Sequence, residues 1–129
     1  YTSQYTLSLH DALPISNDYP ATAKNVSESA KLVREAAPDL MKGFGMMGKA
    51  TYADGALSGK VKELMALAIG VSLRCEGCIA AHTKSAIDYG ATREEVAEAV
   101  ATAVYMGGGP SMLYGGEALK AYDQFKAKG

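Results

Sequence analysis

Four side chains that can carry protons or electrons are clustered in the middle of this chain. Two cysteines, Cys75 and Cys78, are separated by two residues. Glu63 precedes the first of them and His82 follows the second, which gives the pattern Glu-x11-Cys-x2-Cys-x3-His. The pattern contains both cysteines of the protein. Because two thiols this close can form a disulfide and be reduced again, the pattern predicts a redox-active dithiol with proton-exchanging neighbours.

The spacing of these residues suits the start of a helix. If a helix begins near Cys75, then Cys78 lies three residues further and His82 four residues beyond that, so all three share one face. The partial positive charge at a helix N-terminus favours the thiolate form of a cysteine. A second thiol three residues away can convert an oxidised first thiol into a disulfide. The helix start therefore favours thiol chemistry.

Glu63 lies on the preceding helical pattern, so it must reach the dithiol across an interface between two helices. A carboxylate alone would disfavour a nearby thiolate, because the two negative charges repel each other. Its presence makes sense as the proton acceptor of a relay. His82 is the natural intermediary in that relay, since histidine both takes and gives protons near neutral pH.

A structural disulfide and a zinc site are the other interpretations of the cysteines. A disulfide between Cys75 and Cys78 would enclose only two residues, so it would restrain the unfolded chain little. Together with His82 and Glu63 the cysteines offer four side chains of types that zinc accepts, but a closed zinc site usually draws on two such cysteine pairs. We therefore favour the redox dithiol over a metal site or thiols with no function.

The four residues at these spacings resemble the alkyl hydroperoxidase D and carboxymuconolactone decarboxylase family. The same likeness includes the Gly90-Ala91-Thr92 turn and the Glu94-Glu95-Val96 helix start that follow. The resemblance is strongest from Val61 to Met106 and extends from Asn17 to the C-terminus. It implies an all-α, single-domain bundle of about six helices without a sheet. It also implies a homo-oligomer, a trimer or a hexamer, and we expect no cofactor and no bound metal.

The activity that the resemblance implies is reduction of hydroperoxides, organic ones preferred, by a thiol-disulfide cycle. In the family-like mechanism Cys78 is the attacking thiolate, and His82 and Glu63 relay its proton. Cys75 then forms a disulfide with the oxidised Cys78, and an external dithiol restores both thiols. The choice of Cys78 over Cys75 as the nucleophile comes from the resemblance alone. The expected partners are thus a small-molecule hydroperoxide and a dithiol reductant.

Two departures from the family pattern keep other functions open. The best-known hydroperoxidases carry a histidine inside the CxxC segment, where this chain has Glu76 and Gly77. A general thiol-disulfide oxidoreductase is therefore one alternative, and a non-catalytic metal-binding or oligomeric scaffold protein is another. Lactone decarboxylases of the family are not expected to need a CxxC segment, so its presence argues against decarboxylation.

Helical patterns surround the site on both sides. Ser58 is predicted to cap the helix that carries Glu63, and this helix is apolar nearly all round, which is typical of a central, buried helix. The CxxC helix is predicted to end at Gly90, and Thr92 with Glu95 forms a capping box for the next helix. The chain should then break at 107–110, with a last helix from Ser111.

Two helices are predicted before the site. The first has an apolar stripe from Val26 to Ala36, with Asn25 or Ser27 as its cap. The second runs from Asp39 to about Lys49, with an apolar stripe made of Leu40, Phe44 and Met47.

Composition limits the class of protein. The chain has 129 residues, of which 48% are hydrophobic and 21% charged, which is typical of a single globular domain. A net charge of -1 does not indicate binding to nucleic acid or to an anionic membrane, and no apolar run is long enough to span a bilayer. Because the first residues also lack the features of a secretory signal, we expect a cytoplasmic protein.

The first sixteen residues do not read as part of the domain. Tyr5 to Ser16 resemble the translation, in one frame, of a common short-read sequencing adapter. We therefore predict that 1–16 is a non-native segment, that the native domain is 17–129, and that His10 has no evolved role. The alternative is a genuine N-terminal arm.

Overall fold

Six α-helices and no strand make up residues 18–129, which are the residues that the computed structural model describes. The helices are α1 (Tyr19–Ala36), α2 (Pro38–Tyr52), α3 (Gly59–Ser72), α4 (Glu76–Asp88), α5 (Arg93–Gly107) and α6 (Gly109–Lys128). The all-α prediction is confirmed. The segment 1–16 lies outside the described residues, so its non-native origin stays a prediction. None of the described helices combines the length and apolarity needed to cross a bilayer.

Short-range hydrogen bonds set the helix ends on both sides of the site, as the sequence predicts. The Ser58 side chain accepts a hydrogen bond from the Val61 amide at 3.2 Å and caps α3. Thr92 and Glu95 bond each other's backbone amides, at 3.1 and 2.9 Å, in a capping box at the start of α5. Gly90 ends the preceding turn with φ 88°, a conformation that glycine adopts without strain.

The first helix begins earlier than predicted. Its cap is Asp18, whose carboxylate accepts a hydrogen bond from the Ala21 amide at 3.0 Å, rather than Asn25 or Ser27. Tyr19 explains the early start, because it is fully buried and its hydroxyl donates to Glu117 of α6 at 2.8 Å. This contact stabilises the first turn of α1. The local signal for the start is Asp18 followed by Pro20 in the first turn, which the prediction from the apolar stripe did not include.

The break between the last two helices is shorter than predicted. α5 runs through Gly107 and α6 begins at Gly109 rather than Ser111, so only Gly108 lies between them. Gly108 has φ 71°, which allows the chain to reverse within one residue.

The core lies where α3 packs against α4, α5 and α6. Its largest fully buried side chains are Tyr19, Leu67, Ile79, Val71, Val96 and Thr83. The predicted central position of α3 is confirmed, but the expectation that it is buried all round is wrong. Val61, Met65 and Ile69 form an exposed line along one side of it.

Helix α2 is the least integrated element. It has no buried residue and makes few contacts with α3. Its predicted stripe, made of Leu40, Phe44 and Met47, faces solvent, with Phe44 64% exposed. The helix also continues to Tyr52, beyond its predicted end near Lys49.

Candidate active site

The CxxC segment forms the start of α4. Cys75 is the N-cap residue, and its sulfur accepts a hydrogen bond from the Cys78 amide at 3.2 Å. The Cys75 amide in turn donates to the carbonyl of Gly70, the residue near the end of α3, at 3.0 Å. Arg74 makes the turn between the two helices with φ 55° and is the non-glycine residue of 18–129 with positive φ. The predicted helix start near Cys75 is confirmed.

The two cysteines are joined in a disulfide, with their Cα atoms 5.2 Å apart. Both are half-buried, so the pair lies at the surface of the domain rather than in its core. Gly70 allows α3 to approach this closely, because a Cβ atom added there would lie 3.0 Å from the Cβ of Cys78. The sulfur pair is therefore held against the last turns of the helix that carries Glu63.

Glu63 and His82 meet across the interface between α3 and α4. The carboxylate Oε2 of Glu63 lies 2.7 Å from Nδ1 of His82. Glu63 is only 5% exposed, whereas about a third of the His82 side chain, 30%, is accessible to solvent. A buried carboxylate needs a hydrogen-bond partner, and His82 provides it. The reach of Glu63 across the helix interface agrees with the sequence pattern.

The contact also assigns the imidazole nitrogens. When Glu63 is ionised it only accepts hydrogen bonds, and Nδ1 of His82 is then the donor of this contact. The other nitrogen, Nε2, is then the atom that can exchange a proton with a third group. This is an arrangement in which a carboxylate orients a histidine.

Tyr52 is a residue of this site that the sequence did not indicate. It is half-buried, and its ring stacks on the imidazole of His82 with centroids 6.3 Å apart and planes inclined by 29°. Burial raises the pKa of Tyr52, and the nearby negative charge of Glu63 raises it further. Its hydroxyl is therefore protonated at neutral pH. Because the predicted second helix ended near Lys49, no local pattern placed Tyr52 on a helix or beside His82.

The four predicted residues do not form a metal site in this arrangement. In residues 18–129 no three side chains among histidine, cysteine, aspartate and glutamate are grouped so that they could hold a metal ion. The contact that the structure gives is the pair Glu63 and His82, beside a disulfide that uses both sulfur atoms.

Comparison with protein families gives one match that covers most of the chain. The model of the carboxymuconolactone decarboxylase family matches residues 38–121, a range that includes all four predicted site residues. An uncharacterised protein of Cupriavidus necator is 41% identical over 93 residues, which are 72% of this chain and 82% of that protein.

Solved structures agree with this match. A carboxymuconolactone decarboxylase family protein from Legionella pneumophila, solved in its apo form, superposes with a TM-score of 0.82 at 42% identity, over 85% of this chain and 98% of its own. A protein of Thermotoga maritima superposes with a TM-score of 0.71 at 28% identity, over 81% of this chain and 96% of its own. The fold and the family likeness therefore agree over nearly the whole described chain.

Proposed function

The chain belongs to the carboxymuconolactone decarboxylase family, and from this premise we propose that it reduces hydroperoxides, organic ones preferred, with Cys75 and Cys78 as a redox dithiol. The observation that carries the proposal is the 2.7 Å contact between Glu63 and His82 on the two helices that flank the disulfide. A buried carboxylate paired with a histidine next to two cysteines is an arrangement suited to proton transfer during thiol chemistry.

The first step oxidises Cys78. His82, oriented by Glu63, takes the thiol proton, and the thiolate sulfur attacks one oxygen of the hydroperoxide. The oxygen–oxygen bond breaks, Cys78 becomes a sulfenic acid, and the alkoxide leaves with the proton that His82 held. The peroxide is thereby reduced to an alcohol by two electrons from one sulfur.

The second and third steps restore the enzyme. The Cys75 thiol attacks the sulfenic sulfur of Cys78, a disulfide forms, and water leaves. An external dithiol then exchanges with this disulfide, which returns both cysteines to thiols and leaves the reductant as a disulfide. Over one cycle, a hydroperoxide and a dithiol become an alcohol, water and a disulfide. Since the last step needs a reducing partner, we propose the cytoplasm as the location.

A general thiol-disulfide oxidoreductase is the second candidate, and one specific contact favours it. The Cys78 amide donates to the sulfur of Cys75, which would stabilise a Cys75 thiolate as a leaving group in disulfide exchange. The CxxC segment also lacks the internal histidine of well-known hydroperoxidases and has Glu76 and Gly77 instead. In this function the substrate is a protein disulfide, and reaction with peroxide is incidental.

We further propose that the protein works as a homo-oligomer, a trimer or a hexamer. The support is the amount of apolar surface that one chain leaves exposed, including the stripe on α2 and the line on α3. Between α3 and α5 a shallow groove of about 240 Å³ continues this surface, lined by Ala68, Ile69, Ser72, Leu73, Thr102, Ala103 and Met106. Contiguous apolar surface of this kind is usually covered by another protein chain.

The test is a thiol count under peroxide. Reduced, metal-free protein is mixed with cumene hydroperoxide in a stopped-flow instrument, and free thiols are counted before and after, in wild type, Cys78→Ser and Cys75→Ser. Wild type is expected to lose both thiols for each peroxide consumed. Cys78→Ser is expected to react at least about a hundredfold more slowly, and Cys75→Ser to stop at a sulfenic acid that dimedone traps.

The other results separate the remaining functions. Thiols that persist under peroxide but exchange rapidly with a protein disulfide such as oxidised insulin would contradict the peroxidase and support the oxidoreductase. Thiols inert to both reagents, with stoichiometric zinc in the protein as purified, would support the metal-binding scaffold instead.

A further inference from the structure

The end of α2 is held firmly, although the rest of that helix packs loosely. The ammonium group of Lys62 on α3 donates to the carbonyl of Ala53 at 2.6 Å, and the Asp54 carboxylate accepts from the Gly59 amide at 2.8 Å. Both bonds tie the residues just after Tyr52 to the first turn of α3, which ends next to Glu63. The position of Tyr52 is therefore set by the same helix that carries the carboxylate.

We propose that Tyr52 is a positioning residue of the relay: its ring lies against the imidazole of His82 and keeps Nδ1 directed at Glu63. The inference rests on the proposed function. A histidine held by one hydrogen bond can still tilt and rotate about its side-chain bonds, whereas a neighbouring ring whose centroid lies 6.3 Å away restricts that freedom. Small changes in the position of a catalytic group change rates strongly, so such a restraint has a kinetic effect.

The same ring limits the access of water to the pair. Glu63 is almost fully buried, whereas Tyr52 and His82 are both half-buried. A hydrogen bond between a carboxylate and a histidine is stronger where the surroundings are less polar. The raised pKa of Tyr52, to which the charge of Glu63 contributes, agrees with this closeness. Tyr52 thus contributes both orientation and partial exclusion of water.

The test uses two substitutions that separate the effect of the Tyr52 ring from the effect of its hydroxyl. Tyr52→Phe keeps the aromatic face, and Tyr52→Leu removes it. Tyr105→Leu is the matched control, because Tyr105 is 88% exposed near the end of α5. Each variant is compared with wild type in the rate of thiol loss under cumene hydroperoxide, in the pH profile of that rate, and in the NMR signals of the His82 ring. His10→Gln assigns the signals of the other histidine.

The expected result is rescue by the conservative variant. Tyr52→Leu should lower the rate about tenfold and shift the pH at half-maximal rate, because the imidazole is less restrained. Tyr52→Phe and Tyr105→Leu should stay within about twofold of wild type, with an unchanged profile. The titratable groups around the ring are Glu63 of α3, Tyr52 of α2, and Tyr89 and the two cysteines of the α4 segment, so the profile is read against these.

Several results would overturn the inference. One is a wild-type rate and profile in Tyr52→Leu with unmoved His82 signals. Another is an equal loss in Tyr52→Phe and Tyr52→Leu, which would assign the effect to the hydroxyl. If Tyr52→Leu fails to fold, a measurement on the wild-type protein tests the inference instead. The absence of a nuclear Overhauser effect between the rings of Tyr52 and His82 would contradict their contact. A wild type inert to peroxide would overturn the proposed function, while the ring measurements would still decide the role of Tyr52.

Discussion

Helices α3 and α2 are both rich in apolar residues, but the protein uses them in opposite ways. α3 buries Glu63, Leu67, Gly70 and Val71 and packs against three other helices. α2 buries nothing and exposes Leu40, Phe44 and Met47. Only its last residue, Tyr52, reaches the site.

The difference separates two requirements of the molecule. Side chains that transfer protons must be held within narrow limits, and a helix packed on several sides does this. An apolar stripe without a partner in its own chain needs another surface, and a second copy provides it in our proposal. Substitutions in the two helices should therefore differ in what they change: in our proposal α3 governs the stability and the chemistry of one chain, and α2 governs assembly.

The largest expected difference comes from one leucine in each helix. Leu67→Ala removes a fully buried side chain from α3, so the free energy of unfolding should fall by about 3 kcal/mol. Leu40→Ala removes a side chain that is 65% exposed. At low protein concentration the free energy of unfolding should therefore change by no more than about 0.5 kcal/mol. Urea denaturation followed by circular dichroism measures both. Equal losses at every protein concentration would contradict the contrast.

The next effect is on catalysis rather than on folding. Glu63→Gln keeps the shape of the side chain but removes the carboxylate that orients His82, so the rate of thiol loss under peroxide should fall about a hundredfold. Glu98→Gln, at an exposed position of α5, is the matched control and should react like wild type. A Glu63→Gln rate within about twofold of wild type would remove Glu63 from the relay.

A charge on α2 should separate the subunits. Phe44→Glu places a carboxylate in the middle of the apolar stripe. The free energy of association between subunits should then weaken by at least about 2 kcal/mol for each interface that contains the stripe. Sedimentation velocity over a range of concentrations measures this. Lys42→Glu changes the charge on another side of the same helix and should leave the assembly intact. A wild-type protein that sediments as a monomer at all concentrations would contradict the proposed oligomer.

The smallest effects concern one glycine in each helix. A Cβ atom at Gly70 would meet Cys78. Gly70→Ala should therefore lower the free energy of unfolding by about 1 kcal/mol and slow the thiol chemistry. A Cβ atom at Gly45 would meet nothing within 4 Å, so Gly45→Ala should stabilise α2 by about 0.5 to 1 kcal/mol. Thermal melts of both variants, compared with wild type, measure the two signs. A stabilising Gly70→Ala would show that α3 and α4 can move apart without loss.

Much of the fold follows from short-range signals. The caps at Ser58 and Thr92, the glycine turn at Gly90 and the start of α4 at Cys75 all depend on hydrogen bonds or backbone angles within a few residues. Such signals act on neighbours in the chain, so the sequence contains them in full. The pairing of Glu63 with His82 could also be predicted from the sequence, because a charged residue on an apolar helix requires a partner.

The contact that holds the first turn of α1 against α6 and the place of Tyr52 could not be predicted in this way. Tyr19 bonds Glu117, and Tyr52 stacks on His82, in each case across a large separation along the chain. Contacts of this kind depend on how whole helices pack, which a local pattern does not contain. The exposure of the α2 stripe belongs here too, since an apolar period shows which face seeks a partner but not where the partner lies.

The amino-acid sequence therefore contains the helices, the ends that are set by short-range caps and the residue types of the candidate site, because each depends on residue type and on spacing within one or two turns. Tertiary packing decides which of those side chains meet. It brings Glu63 to within 2.7 Å of His82, places the Tyr52 ring next to the imidazole and leaves the α2 stripe facing outward. The reason is geometric: hydrogen bonds and ring contacts act over a few ångströms, and only the angles and distances between packed helices determine which groups come that close.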